Sequence, residues 1–314
     1  MNFLKDYKIK NHLITIARHI IQIIAFIFIN YLIIELIFNI NLVGLESIFK
    51  ILPVLNSPRN PISNGAGIME YIFFSMVEGI FPTFLLGVFI LIILFTNRFF
   101  CGWLCPIGTI QDACAAIPIE KRPIKISTHN SLLKLKYFII IFLGILLIPL
   151  AITYDVNYNF YLDFRNNLGD LGEKPLSYFS LSEYIFVFFP NLAKDIFNNA
   201  SLVPLFKNFI VFFISIFYLI LIVLSVWYPR VYCRYICPFA ALSSVISEYS
   251  FLKLSRSPVR CIGRTECGKC EKVCPKQIRI LDEPFEFFTG KGECNYCLKC
   301  KEACPYNAIN VKFG

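Results

Sequence analysis

The chain has 314 residues, of which 57% are hydrophobic and 16% are charged, and its formal net charge at pH 7 is +9. An average soluble domain is about half apolar and about a quarter charged, so this composition excludes a disordered chain and an average soluble enzyme. A small secreted module held together by disulfides is excluded as well.

Four apolar runs are each long enough to cross a bilayer core of about 30 Å as an α-helix. They comprise residues 19–38, 79–96, 137–154 and 209–228. The second and fourth runs carry no charged residue, whereas the first contains Gln22, Asn30 and Glu35. We therefore expect residues 1–254 to form an all-α membrane domain with four transmembrane helices.

Charged residues are distributed unevenly among the segments outside these runs. The segment between the second and third runs holds six basic and two acidic residues, whereas the loop 155–207 holds six acidic residues. Because cytoplasmic loops of membrane proteins are enriched in Lys and Arg, this pattern predicts a multi-pass protein of the cytoplasmic (inner) membrane. Both termini and the middle loop are expected in the cytoplasm.

Polar side chains follow one face of the first apolar run. His19, Gln22, Phe26 and Asn30 share that face at helical spacing. Polar groups inside a membrane are unfavourable and tend to face other helices. This face is therefore either a quinone pocket with His19 as the proton acceptor, and so the candidate catalytic residue, or a set of hydrogen bonds between helices.

One cysteine motif occurs twice, each time directly after an apolar run. The copies are Arg98-Phe-Phe-Cys101-Gly-Trp-Leu-Cys105-Pro106 and Arg230-Val-Tyr-Cys233-Arg-Tyr-Ile-Cys237-Pro238, and they align without a gap. Two tandem helical hairpins of the same orientation predict a pseudo-twofold axis along the membrane normal. The four thiols are then expected to meet near that axis on the cytoplasmic side.

Four converging thiols allow three interpretations. They could bind an iron–sulfur cluster or one soft metal ion, act as redox dithiols, or only pack against each other. Arg98 and Arg230 could stabilise the negative charge of a cluster or of an anionic quinone. Alternatively, both arginines serve only as cytoplasmic anchors.

Eight further cysteines lie in the last part of the chain. Cys294, Cys297, Cys300 and Cys304, with Pro305, have the spacing of bacterial ferredoxins. Cys267, Cys270 and Cys274 repeat that spacing, but Cys261 precedes the usual first position by three residues. Zinc ribbons use pairs of cysteines rather than such triplets. We therefore expect a small α+β ferredoxin domain over residues 255–314, on the cytoplasmic side.

The ligand sets follow from the ferredoxin pattern, in which the fourth cysteine of each run binds the other cluster. One [4Fe-4S] cluster is expected on Cys261, Cys267, Cys270 and Cys304, and the second on Cys294, Cys297, Cys300 and Cys274. The segment lacks a basic stripe interleaved with aromatic residues, so no nucleic-acid partner is expected.

Together these motifs resemble those of the NapH/NosR-type polyferredoxin membrane proteins. The resemblance rests on the two C-x3-C-P motifs, the four apolar runs and the double ferredoxin tail. It implies that Cys101, Cys105, Cys233 and Cys237 take part in electron transfer. NosR-type proteins also carry an extracytoplasmic flavin domain, for which loop 155–207 has no room, so the shorter NapH-like quinol dehydrogenase component is the better match.

The resulting functional hypothesis is an iron–sulfur protein that passes electrons between the quinone pool and a redox partner in the bilayer. Two alternatives differ in kind. The protein could supply electrons for the maturation or regulation of a metalloenzyme, or its four membrane thiols could reduce or pass on copper.

Overall fold

The computed structural model describes residues 12–30, 68–173, 175–176, 178–199 and 209–314, which are mostly helical. The helices of the first half are α1 (Leu13–Ile29), α2 (Ile68–Val77), α3 (Thr83–Thr96), α4 (Phe99–Trp103), α5 (Pro106–Ala116), α6 (Ile126–Val156), α7 (Tyr158–Asn167) and α8 (Asp170–Glu173). Then α9 (Leu181–Glu183) continues through a π-helical turn (Tyr184–Phe188) into α10 (Phe189–Asn199).

The second half contains six more helices and two strands. These are α11 (Phe209–Trp227), α12 (Val231–Tyr235), α13 (Pro238–Ser247), β1 (Leu252–Arg256), α14 (Gly263–Glu266), α15 (Lys269–Lys272), α16 (Lys299–Glu302) and β2 (Ile309–Phe313), with a 3-10 turn at Ile280–Asp282.

Both copies of the cysteine motif break their helix at the same place. Cys105 has φ −62° and ψ 122°, and Cys237 has φ −56° and ψ 117°, so both lie outside the α-helical region. Each is followed by the proline that begins α5 or α13. The residue before a proline is forced away from the α conformation, and proline itself suits the first turn of a helix. The Cys-Pro pair therefore sets the break.

The two copies pack reciprocally. Helix α5 of the first copy contacts α11 of the second, and α13 of the second copy contacts α3 of the first. This exchange is the arrangement expected for two hairpins about an approximate twofold axis. It places the two helix breaks, and hence the four motif cysteines, in the same region.

Helix α6 supplies an apolar face to this bundle. Ile139, Leu143, Leu147 and Leu150 are buried and recur every three or four residues along one side of the helix. On the opposite side Phe138 and Ile145 are 66% and 67% exposed. The buried stripe contacts α2 and α13.

The predicted membrane spans are reproduced only in part. Within the described residues, α6 is long and apolar enough to cross a membrane by length and composition, and its apolar window has a mean hydropathy of 2.6. The second predicted span is shortened to α3 because Gly79, at φ +79°, and Pro82 precede the helix. Of the first span, residues 31–38, including Glu35, lie outside the described residues. Four transmembrane helices therefore remain a prediction.

Residues 252–314, which we call the ferredoxin segment, contain one antiparallel strand pair. β1 pairs with β2 so that Leu252 faces Phe313 and Arg256 faces Ile309. Leu254 is fully buried and forms a bridge to Phe288, which closes a small apolar core. The predicted division between residues 254 and 255 thus falls inside β1.

Helix α4 packs directly against the ferredoxin segment. The Trp103 indole nitrogen donates a hydrogen bond of 2.8 Å to the carbonyl oxygen of Tyr296. At Gly102 an added Cβ would overlap the carbonyl oxygen of Asn295, so the two backbones touch. The first cysteine motif and the ferredoxin segment are therefore in direct contact.

Candidate metal centres

Four cysteines line a cavity that we call the outer cavity. They are the first predicted ligand set: Cys261, Cys267, Cys270 and Cys304. Three extra residues separate Cys261 from Cys267, and the short helix α14 forms an additional turn in that interval. The Ala308 amide donates to the Cys304 sulfur at 3.3 Å, as is common for thiolates in cluster sites.

The second predicted set lines another cavity, the inner cavity. Its cysteines are Cys274, Cys294, Cys297 and Cys300. Gly268 and Leu298 occupy equivalent positions between the second and third cysteines of their runs. Both have φ +57°, and each starts a four-residue helix. Equal sequence spacing has therefore produced equal loop geometry around the two cavities.

The thiols of each cavity surround a space rather than converge on a point. Within the described ranges, no three His, Cys, Asp or Glu side chains are grouped closely enough to hold one metal ion. Four cysteines around a cavity fit a polynuclear iron–sulfur cluster.

The four motif cysteines come together from the two repeats. Burial raises the pKa of the Cys105 thiol well above its usual value, and Cys233 from the other repeat raises it further. Burial also raises the pKa of Cys237 to about 12, again with a contribution from Cys233. Reactive redox thiols have lowered pKa values, so the raised pKa values of these thiols do not match a redox dithiol.

The four-thiol group adjoins the inner cavity. Lys276, two residues after Cys274, donates a hydrogen bond of 3.0 Å to the carbonyl oxygen of Cys233. Gln111 donates to the Cys233 sulfur at 3.0 Å. The four motif cysteines and the inner cavity thus lie next to each other at the junction of the helices and the ferredoxin segment.

Glu293 is the centre of a buried charge cluster beside Cys294. Its carboxylate pairs with Lys136, with Arg98 at 3.3 Å and with Lys276 at 3.7 Å. Burial would raise its pKa, but Lys276, Arg98 and Lys136 lower the pKa to about 2. Burial lowers the pKa of Lys276 to about 8. The ionised carboxylate therefore holds three cations at the domain junction.

Asp112 is the centre of a second buried cluster. Arg230 binds both of its carboxylate oxygens, at 2.8 and 2.6 Å. Arg18 lies 3.4 Å from one of those oxygens, and Gln22 donates to it at 2.9 Å. This carboxylate connects α1, α5 and the second cysteine motif.

Sequence reasoning did not identify Asp112, Glu293 or Lys136 as site residues. Asp112 and Lys136 entered it only as loop charges. The available signal was a single acidic residue within the otherwise uncharged segment that follows the first motif. Both predicted arginines are buried, Arg98 at 1% and Arg230 at 0% exposure, and each pairs with a carboxylate.

His19 lies on α1 and is hydrogen-bonded within that helix. Its Nδ1 lies 2.9 Å from Oε1 of Gln22, an oxygen that can only accept. The amide nitrogen of Gln22 donates to the carbonyl oxygen of Gly102 as well as to Asp112. Hydrogen bonds between helices, one of the two interpretations of this polar face, are therefore present at Gln22.

Comparison with known proteins connects these sites to a family. A family model described as a 4Fe-4S binding domain matches twice, at residues 79–125 and 210–256. Each match contains one C-x3-C-P motif. The duplicated motif is therefore a recognised iron–sulfur domain.

Individual relatives extend this similarity over most of the chain. YccM of Escherichia coli (strain K12) is 29% identical over 76% of this chain and 59% of its own length. The regulatory protein NosR of Stutzerimonas stutzeri is 23% identical over 67% of this chain and 24% of its own length. A ferredoxin of Methanothermococcus thermolithotrophicus is 30% identical over 17% of this chain and 87% of its own length.

The chain thus spans less than two thirds of the length of YccM and about a quarter of that of NosR. No solved structure matches it. The duplicated 4Fe-4S binding domain, the ferredoxin similarity and the two long relatives agree with the resemblance noted from the motifs. The chain therefore contains a duplicated 4Fe-4S binding domain and is similar to the polyferredoxin-like proteins YccM and NosR.

Proposed function

We propose that this protein is a membrane-bound electron-transfer protein that passes electrons between the quinone pool and a redox partner, as a NapH-like quinol dehydrogenase component does. The observation that carries the proposal is that the four motif cysteines lie beside the inner cavity, while the same ferredoxin segment also holds the outer cavity. The family relative YccM bears a name that assigns it to electron transport.

The two ferredoxin cavities are the proposed sites of two [4Fe-4S] clusters. Cys261, Cys267, Cys270 and Cys304 would hold one, and Cys274, Cys294, Cys297 and Cys300 the other. Clusters bound there supply one-electron transfer. The chain itself contributes the thiols, the buried surroundings and the nearby cations.

The four motif thiols are the proposed site of a further cluster. Cys101, Cys105, Cys233 and Cys237 are brought together by the reciprocal packing of the repeats. Cys233 and Cys237 are buried, and Gln111 donates a hydrogen bond of 3.0 Å to the Cys233 sulfur. Arg98 and Arg230, both buried nearby, would offset the negative charge of such a group.

Large exposed apolar side chains support placement of the helical part in a bilayer. They include Ile23 on α1, Phe84 on α3, Ile145 on α6 and Phe209 on α11, and Phe84 is 80% exposed. A water-facing surface of this kind is rare in soluble proteins. The sequence-based division between 1–254 and 255–314 falls inside β1, so we propose a membrane domain that ends before β1 and a cytoplasmic ferredoxin domain that begins with it, with both termini cytoplasmic.

The proposed quinone site lies along α1, with His19 as the proton acceptor. Oxidation of a quinol releases two electrons and two protons, so a base is needed beside the electron acceptor. His19 is half-buried and joined through Gln22 to Asp112. We expect His19→Gln to slow quinol oxidation without changing iron content.

Iron analysis of anaerobically purified protein tests the cluster assignments. We expect about eight irons per chain for the two ferredoxin clusters and about twelve with a third. Cys300→Ser should remove iron from the inner site, whereas Cys114→Ser, which changes no predicted ligand, should leave the iron content unchanged. A colourless, iron-free and folded wild-type protein would contradict the proposal.

A second candidate function is electron supply for the regulation or maturation of a metalloenzyme. It is favoured by the NosR relatives, which are named regulatory proteins. Reduction of the clusters by a quinol analogue separates the two candidates. A quinol dehydrogenase component is reduced, and a complete lack of reduction favours the second candidate.

Glu293→Gln is expected to raise the reduction potential of the centre in the inner cavity. The substitution removes a negative charge beside Cys294 while Arg98, Lys136 and Lys276 remain. One charge at this range changes a potential by on the order of tens of millivolts. Redox titration followed by electron paramagnetic resonance measures the change. Glu286→Gln, at an exposed position of the same segment, is the matched control and should change this reduction potential little.

A further inference from the structure

A cavity of about 580 Å³ lies between the helical part and the ferredoxin segment. We call it the junction cavity. Its walls come from α1, the end of α5, the start of the second cysteine motif and the helices α15 and α16. Binding sites for small molecules in proteins are about 300–1,000 Å³, so its volume is that of a ligand site.

Most of the charged residues that line the junction cavity are basic. Five basic side chains line it: Lys121, Arg122, Arg234, Lys272 and Lys299. Its two carboxylates, Asp112 and Glu302, are already engaged elsewhere. Asp112 is bound by Arg230, and Glu302 accepts hydrogen bonds from the backbone and side chain of Thr15.

Within the described ranges, these cations make no ion pairs. Among the residues that the structure describes, none of the five forms an ion pair with a carboxylate. Lys121 donates only to backbone carbonyl oxygens, and Arg234, which is 1% exposed, contacts His129 and Gln277. Uncompensated charge in a recessed site is unfavourable unless an anion enters.

We propose that the junction cavity binds a phosphate group. Arg and Lys together suit a compact polyanion because they donate several charge-assisted hydrogen bonds to its oxygens. The phosphate has two sources: the headgroup of an acidic phospholipid, which basic pockets at the cytoplasmic face of membrane helices recognise, or a soluble phosphate compound. The chemistry of recognition is the same for both.

The bound anion would also act on electron transfer. Cys274, one of the inner-cavity thiols, lines the junction cavity as well. A negative charge beside this thiol disfavours the addition of an electron, so phosphate binding is expected to lower the potential of the centre that Cys274 holds. This effect rests on the proposed function, whereas phosphate binding itself does not.

The test compares wild type with Arg122→Gln/Lys272→Gln, which removes two exposed cations from the cavity rim. Isothermal titration of the delipidated full-length protein with pyrophosphate measures the soluble source. Nanodiscs of phosphatidylglycerol against phosphatidylcholine, with bound lipid counted by native mass spectrometry, measure the lipid source. Lys291→Gln/Lys312→Gln removes the same charge from exposed positions that do not line the cavity.

We expect the double rim variant to weaken binding of one probe at least about tenfold, as the loss of charge-assisted contacts does, and the control variant to leave it unchanged. Pyrophosphate binding identifies a soluble ligand, and selective retention of phosphatidylglycerol identifies a lipid. The proposal is overturned if neither probe binds, or if both double variants weaken binding equally.

A redox titration with and without the bound probe then separates the two proposals. A fall in potential on binding that is absent in the rim variant supports the linkage to Cys274. Binding without iron in the protein would leave the phosphate site standing while contradicting the proposed electron-transfer function.

Discussion

Replacing Asp112 with Asn is expected to lower the free energy of unfolding by about 3–5 kcal/mol, because it leaves buried cations without their counter-ion. Arg18 and Arg230 are both fully buried, and Asp112 is their carboxylate partner among the described residues. The side chain of Asn has the same shape, so the change tests charge rather than packing. Chemical unfolding followed by circular dichroism measures the difference.

Glu78→Gln provides the matched control for Asp112→Asn. Glu78 pairs with Arg165 at 2.8 Å, but the two side chains are 39% and 28% exposed. Exposed ion pairs contribute about 0–1 kcal/mol, so this variant is expected to unfold nearly as wild type does. Equal destabilisation by both substitutions would contradict the role assigned to the buried cluster.

The contribution of Asp112 should also depend on pH. Burial by itself would raise its pKa, but Arg230 and Arg18 hold the pKa of this carboxyl well below its usual range. A group whose pKa is lowered by folding stabilises the fold above its unfolded pKa of about 4 and loses that contribution as the pH falls further. The stability difference between wild type and Asp112→Asn is therefore expected to be complete at pH 7 and to shrink below about pH 4.

Gly292→Ala is expected to detach the ferredoxin segment from α13. Gly292 has φ +74°, and an added Cβ would overlap the carbonyl oxygen of Ser244 and lie 2.8 Å from its carbon. Because both obstacles are backbone atoms, the loop itself must move. The carbonyl oxygen of Gly292 would then lose the hydrogen bonds donated by Arg98 at 2.9 Å and by Ser247 at 2.8 Å. Hydrogen exchange should become faster in the loop that contains Gly292.

Gly263→Ala separates backbone strain from steric overlap. Gly263 has φ +86°, but no atom lies within 4 Å of the position of an added Cβ. Replacing Gly263 should therefore lower the free energy of unfolding only by the backbone strain, about 1–3 kcal/mol. The junction should remain protected from amide hydrogen exchange. If amide hydrogen exchange is equally fast at the junction in Gly292→Ala and in Gly263→Ala, the close contact between Gly292 and Ser244 is not what holds the domains together.

The cysteine sets show how far sequence alone can lead. The ferredoxin pattern, in which the two runs exchange their fourth cysteine, predicted two groups of four thiols, and each group lines one cavity of the structure. This included Cys261, whose distance from Cys267 departs from the usual pattern and is taken up by α14. Spacing inside a run is a local property that the order of residues shows, whereas the exchange of Cys274 and Cys304 between the runs was expected from the ferredoxin pattern.

The charged clusters could not be predicted in this way. Asp112 and Arg230 belong to different repeats, and Glu293 lies far in sequence from Arg98 and Lys136. On charge alone these residues were indistinguishable from the loop residues that orient a membrane protein. Only burial revealed that they pair, and pairing is decided by how the repeats and the ferredoxin segment pack.

The order of residues by itself determined the duplicated motif, the helix break at each Cys-Pro pair and the cysteine spacing within each ferredoxin run, because all three depend on neighbours along the chain. The tertiary structure decided which carboxylate neutralises which arginine, the contact between Gly102 and the ferredoxin backbone, and the junction cavity beside Cys274. These features depend on groups that are distant in sequence and meet only when the elements pack.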